Sequence, residues 1–282
     1  MILIRGVLAL TGVALLAAAS ASADEPKEEE QKLPTVSLLE RWEARVYEND
    51  KGEGLPYRLL KPKTYDAKHA YPLVVFLHGM GERGSDNASQ LVNGVSEFFA
   101  SDAAMDRFPA VVIVPQCPDG EDSNEASWSN WKAGTPAITK PTRLVLEIVG
   151  AVRKQLTIDS DRMYISGLSM GGFGTWNVIQ EYPDLFAAAF PICGGGNPEK
   201  AERIAKLPLW VFHGAKDETV PPQLSRDMVR AIQAAGGYPG YSEYPDVGHD
   251  SWMSAFQEPR LLPWLFAQSR GHGAETTGAG AE

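Results

Sequence analysis

The chain has 282 residues, 44% of them hydrophobic and 22% charged, with a formal net charge of −10. An acidic balance of that size repels nucleic acid and anionic membranes, so neither is an expected partner. The two cysteines, Cys117 and Cys193, allow one disulfide or two buried thiols, and composition leaves both open.

Read from the first residue, Arg5 precedes an apolar run from Val7 to Ala19, followed by Ala21-Ser22-Ala23. The run is shorter than the roughly 20 residues that span a bilayer, and its flanks are those of a secretory signal cut after Ala23. The expected organisation is a signal peptide over 1–23, an acidic flexible leader over 24–37, one folded domain over 38–270 and a disordered Gly/Ala/Thr-rich tail over 271–282. Such a protein is secreted or periplasmic and keeps no stable membrane anchor once the signal is gone.

Eight apolar runs bounded by turn residues predict strands at 41–47, 55–60, 73–77, 110–115, 163–166, 187–192, 209–212 and, more weakly, 241–244. Helix-compatible segments at 88–99, 142–156, 172–181, 198–205 and 222–235 alternate with the last six. Alternation of this kind predicts a mainly parallel sheet covered on both faces, with reactive residues on loops at the carboxyl ends of strands.

Gly167-Leu168-Ser169-Met170-Gly171 joins one of those strands to a small-residue helix start. A serine hydroxyl is a weak nucleophile, and a tight glycine-flanked turn is what exposes its oxygen to a base. Of the five histidines, His249 follows the last predicted strand and can reach back to Ser169; His69 lies in a polar loop, His78 and His213 sit at strand ends beside glycine, and His272 lies in the tail. Asp217, on the loop after the preceding strand, is the expected carboxylate partner, with Glu218, Asp246 and Asp250 as competitors. The order Ser, Asp, His is the hydrolase order. Two backbone amides are expected to face a developing oxyanion. Met170 supplies one from the helix start. Met80, or its neighbour Gly79, supplies the other from the glycine-broken turn Leu77 to Gly84. His78 is expected to brace that turn, and Glu82 and Arg83 to pair locally.

The stretches Phe76 to Gly84, Pro115-Gln116-Cys117-Pro118, Gly167 to Gly172, Ile192 to Gly196, His213 to Asp217 and Gly248 to Trp252 together resemble the α/β-hydrolase superfamily. More narrowly they resemble the secreted esterases and predicted peptidases related to polyhydroxybutyrate depolymerases and feruloyl esterases, over residues 57–267. The resemblance implies an eight-stranded, mostly parallel sheet flanked by helices and a serine carboxylesterase that uses Ser169, His249 and Asp217. Serine at position 169 separates it from dienelactone hydrolases, which carry cysteine there.

Only residues 193–207 lie between the strand after the elbow and the next, which leaves no room for a large cap. An open site suits exposed small-molecule or polysaccharide-linked esters, of acyl or feruloyl type. The long irregular connection 117–141, with Trp128 and Trp131, is expected to wall the pocket, the alternative being that these tryptophans pin the loop to the core; Trp252 has the same two readings and is expected to touch substrate. The acidic stretch 119–124 lacks calcium-loop spacing, and the chemistry calls for neither metal nor cofactor. A peptidase would use the same residues, and a hydrolase-like binding protein would not use them at all.

Overall fold

The computed structural model of the protein describes residues 36–130 and 138–272. The expected signal peptide, nearly all of the leader, Trp131 and the tail from 273 onward lie outside them. Val36–Leu39 form a short helix, α1, that takes in the last two residues assigned above to the leader.

Eight strands form a single sheet: β1 (Trp42–Glu48), β2 (Gly54–Leu60), β3 (Tyr71–Leu77), β4 (Val111–Pro115), β5 (Ile158–Leu168), β6 (Ala188–Ile192), β7 (Trp210–Gly214) and β8 (Gly240–Tyr244). Their spatial order is β1-β2-β4-β3-β5-β6-β7-β8. The β1–β2 and β2–β4 pairs are antiparallel, and every pair from β4 to β8 is parallel. All eight predicted strands are present, β5 extending well beyond the expected 163–166. This is an α/β-hydrolase sheet.

The helices that cover it are α2 (Val95–Ala100), α3 (Asp102–Arg107), α4 (Ser123–Ala126), α5 (Lys140–Gln155), α6 (Met170–Glu181), α7 (Gln223–Ala234), α8 (Ser251–Phe256) and α9 (Leu261–Phe266). The period of two along β3 sends Leu73, Val75 and Leu77 to one face and Val74 and Phe76 to the other. The first set packs with Val145, Ile148 and Val152 of α5, Trp176 of α6 and Ile232 of α7. The second packs with Phe98 and Phe99 of α2 and Leu261 and Leu265 of α9. A sheet sandwiched this way needs strands that are apolar throughout, and every residue of β3, β4 and β6 is buried.

Two predicted helices differ from expectation. The helix over 88–99 is broken: a 3-10 turn at Ser89–Leu91 ends where Asn93 and Gly94 take positive φ (59° and 79°), and α2 starts afresh at Val95. The segment expected at 198–205 is a 3-10 helix over Pro198–Ile204, opened by Asn197, whose side chain accepts from the Glu199 amide. Among the described residues no helix is long and apolar enough to cross a membrane.

Candidate active site

The site lies at the carboxyl ends of β3, β5, β7 and β8, and β5 supplies its centre. Between Leu168, the last residue of β5, and Met170, the first of α6, Ser169 adopts φ 51° and ψ −116°. That conformation is costly for a residue with a side chain, and the surroundings hold it in place. The Ser169 amide donates to the Ile192 carbonyl at 3.0 Å and lies 3.3 Å from Cys193 Sγ, while the Ser169 carbonyl accepts from Phe173. Glycine is required around it by close approach rather than by φ. A Cβ on Gly171 would stand 1.9 Å from the Leu77 carbonyl oxygen, and one on Gly167 would meet the same oxygen at 2.5 Å.

His249 bridges two side chains. Its Nε2 is 2.8 Å from Ser169 Oγ and its Nδ1 is 2.7 Å from Asp217 Oδ2. A carboxylate can only accept, so Nδ1 carries a hydrogen and Nε2 is left with its lone pair towards the serine hydroxyl. The loops that carry the two residues are tied together: Lys216 donates its amide to the Val247 carbonyl and Ala215 donates to Tyr244. Gly214 is packed so tightly beneath them that an added Cβ would meet Gly248 O at 2.1 Å. Asp217 is buried, and its Oδ1 accepts from the amides of Thr219 and Val220 at 2.9 and 2.8 Å. The three competing carboxylates stand elsewhere. Glu218 is exposed, Asp246 pairs with Lys216 at 2.8 Å, and Asp250 is exposed at the head of α8.

The turn after β3 runs beside the elbow, since a Cβ on Gly79 would come within 3.7 Å of Ser169 Cβ. Met80 and Met170 each open a helical turn, a 3-10 turn over Met80–Glu82 and α6, so neither amide has an acceptor within its own helix. Met80 is 58% exposed. His78 braces this turn. Its Nε2 accepts from the Cys117 amide at 2.9 Å, which puts the ring hydrogen on Nδ1, facing the Gly79 carbonyl at 2.6 Å. Burial lowers the His78 pKa to about 4, so the ring stays neutral.

Three expectations for this region are corrected. Trp128 does not wall a pocket: it is fully buried, and its Nε1 donates to the His78 carbonyl at 2.9 Å. An indole in an apolar interior needs a partner for its N–H, and the turn supplies one. Glu82 and Arg83 do not pair with each other. Glu82 accepts from Asn93 Nδ2 at 2.8 Å, and Arg83 reaches across to the carbonyls of Gly120 and Ala126. Of the two options left open for the cysteines, Cys117 and Cys193 are free, buried thiols. Burial raises the Cys193 pKa to about 12.

Trp252 is half-buried with its ring edge-on to His249 at a centroid distance of 5.5 Å. Cys193, Asp217 and His249 bring metal-ligating atom types within 4.8 Å of one another. The 2.7 Å between His249 Nδ1 and Asp217 Oδ2 has room for a proton, not for a zinc ion with bonds of about 2 Å on each side. Two neighbours were named in the sequence without a place in the site: the Cys193 thiol beside the Ser169 amide, and His213, whose Nε2 is 3.2 Å from Asp217 Oδ2. Its spacing of four residues from Asp217 is the signal that could have found it.

An α/β-hydrolase sheet with a serine on the strand-to-helix turn defines a hydrolase, and comparison with known proteins narrows the class to carboxylic ester hydrolases. The family model described as "Putative esterase" matches residues 52–266, and the chain belongs to that esterase family. It is similar to a bifunctional acetylxylan esterase/xylanase of Neocallimastix patriciarum, 28% identical over 175 residues, covering 62% of this chain and 23% of that protein. It is also similar to poly(3-hydroxyalkanoate) depolymerase C of Paucimonas lemoignei, 31% identical over 173 residues, covering 61% of this chain and 37% of that protein. The chain thus spans well under half the length of these two relatives. Among solved structures, a thermostable esterase superposes with a TM-score of 0.77 at 39% identity, covering 83% of this chain and 64% of that one. A ferulic acid esterase, 18% identical with a TM-score of 0.62, shares the fold.

Proposed function

We propose that this esterase is exported and hydrolyses exposed esters of acyl or feruloyl type, small or attached to polysaccharide, through Ser169, His249 and Asp217. The observation that carries the reading is the position of His249, within hydrogen-bond distance of both the Ser169 hydroxyl and the Asp217 carboxylate. His249 Nε2 takes the Ser169 proton as Oγ attacks the ester carbonyl carbon, and Asp217 stabilises the imidazolium that results. The amides of Met170 and Met80 stabilise the oxyanion. His249 then passes its proton to the departing alcohol, and water attacks the acyl-enzyme by the same route in reverse.

The substrate class rests on access. The connection from β6 to β7 spans only residues 193–209, too few for a large cap, and Trp252 flanks His249. The similar proteins named for acetylxylan and poly(3-hydroxyalkanoate) support a polymer-borne ester. Export rests on the composition of residues 1–23.

The test incubates the mature protein with p-nitrophenyl acetate, methyl ferulate, acetylated xylan and a peptide p-nitroanilide, beside a Ser169→Ala control. The expected result is ester cleavage that the control loses, with the anilide untouched. Anilide cleavage without ester cleavage makes the protein a peptidase, and silence on every substrate makes it a hydrolase-like binding protein.

A further inference from the structure

Asp217 Oδ2 has two imidazole neighbours. His249 Nδ1 lies 2.7 Å away and His213 Nε2 3.2 Å away. His213 belongs to β7 and is wholly buried. Its Nε2 faces acceptors only, the Val220 carbonyl at 2.9 Å and Asp217 Oδ2, so that nitrogen carries a hydrogen. Its Nδ1 lies 2.7 Å from Ser225 Oγ on α7, which in turn lies 3.1 Å from the Gly194 carbonyl. The one hydrogen of the Ser225 hydroxyl can go to the Gly194 carbonyl at 3.1 Å or to Nδ1 at 2.7 Å; given to Nδ1 it completes a neutral ring with its hydrogen on Nε2, the form that burial favours. Two amides donate to Asp217 Oδ1 and His249 Nδ1 donates to Oδ2, while the His213 Nε2–H, hydrogen-bonded to the Val220 carbonyl, also stands 3.2 Å from Oδ2.

We infer that His213 is a positioning residue of the esterase: its Nε2–H, shared between the Val220 carbonyl and Asp217 Oδ2, fixes the carboxylate and draws off part of the charge presented to His249. The inference rests on the triad proposed above. Charge drawn off in this way weakens the carboxylate's hold on the imidazole it orients, so the pH dependence of turnover reports on the contact. The other ionisable groups around the pair are known. Glu243 on β8 stands opposite His213 in register and is held by Arg226, Cys193 lies beyond Asp217 from the β6 side, and Asp250 follows His249. None of them donates to Asp217.

The test measures kcat and KM on p-nitrophenyl acetate from pH 5 to 9 for wild type, His213→Leu, His213→Gln, Ser225→Ala and Asp217→Asn, with circular dichroism to show that each is folded. Removing the donor concentrates charge on the His249 bond. His213→Leu is therefore expected to move the acid limb of kcat/KM up by about half a pH unit. Its kcat falls about tenfold, as loss of one charge-assisted hydrogen bond implies, and its KM stays within about twofold. Glutamine can place an amide N–H near the position of Nε2, so His213→Gln restores the limb and most of kcat. Ser225→Ala keeps the ring but frees its tautomer, and shifts the limb in the same direction by less; it stands in if the leucine variant does not fold. An unchanged limb in His213→Leu and Ser225→Ala, or a kcat loss without a limb shift that glutamine does not rescue, overturns the inference. If Asp217→Asn loses kcat while the His213 variants behave as wild type, His213 alone is wrongly assigned. If Asp217→Asn keeps its kcat, the triad reading falls and this one with it.

Discussion

Two loops flank Ser169, each built on a histidine, and burial gives the two rings opposite uses. After β3, His78 is sealed in: both ring nitrogens are taken up by backbone groups, and its own carbonyl receives Trp128. After β8, the His249 side chain is 24% exposed, with one nitrogen on a carboxylate and the other on a serine hydroxyl. A ring whose lone pair is already bound by an amide cannot take a proton from substrate. The same residue type therefore holds a loop in shape on one side and is available for proton transfer on the other.

The largest effect that would sharpen this contrast is on turnover. Asp217→Asn and His249→Ala are each expected to lower kcat on p-nitrophenyl acetate by at least about a thousandfold with the far-ultraviolet circular dichroism unchanged. Should His78→Ala reach the same loss while remaining folded, the contrast breaks. Instead His78→Ala is expected to cost about 2–4 kcal/mol of stability in urea unfolding, through the vacated volume and the unpaired Cys117 amide, and to lower kcat about tenfold by loosening the turn that carries Met80.

A pH series tests the state of His78. Its pKa is about 4 in the folded protein and about 6.5 when exposed, so between these values the unfolded chain binds the extra proton. The contribution of the neutral ring is complete above about pH 6.5 and is lost as pH falls towards about 4. The urea midpoint should decline over that window, and His78→Gln should flatten the decline. The smallest effect is that of Trp128→Phe, which keeps the ring packing, strands the His78 carbonyl and is expected to cost about 1–2 kcal/mol of stability with KM unchanged. A raised KM would put position 128 back at the substrate pocket.

Most of the sheet was legible in the sequence because buried parallel strands are short apolar runs between turn residues, and all eight appear, seven close to their expected bounds and β5 longer than expected. Ser169, Asp217 and His249 were legible for a related reason. Each follows a strand, and a parallel sheet delivers every such loop to one end. What stayed hidden depends on direction. Trp128 sits in a connection without period, so nothing in the sequence told whether its indole turned outward to a ligand or inward to His78. The break at Asn93-Gly94 was masked by helix formers on both sides. Helices α3, α4, α8 and α9, of four to six residues, are too short to display a 3.6-residue period. His213 was visible as a strand-end histidine, but its bond to Asp217 depends on how the loop folds back over β7.

The turn 78–84 and the segment that starts at Gln116 are stitched by six hydrogen bonds: Cys117 to His78, Gly84 to Cys117, Gln116 to Glu82, Trp128 to His78, and Arg83 to both Gly120 and Ala126. Stitching of this density makes the two segments one cooperative unit, so that neither unzips alone. Deuterium would then enter the Gly84 and Cys117 amides at a common rate, set by the opening of the whole flap, and a ligand that quiets one half would protect the other.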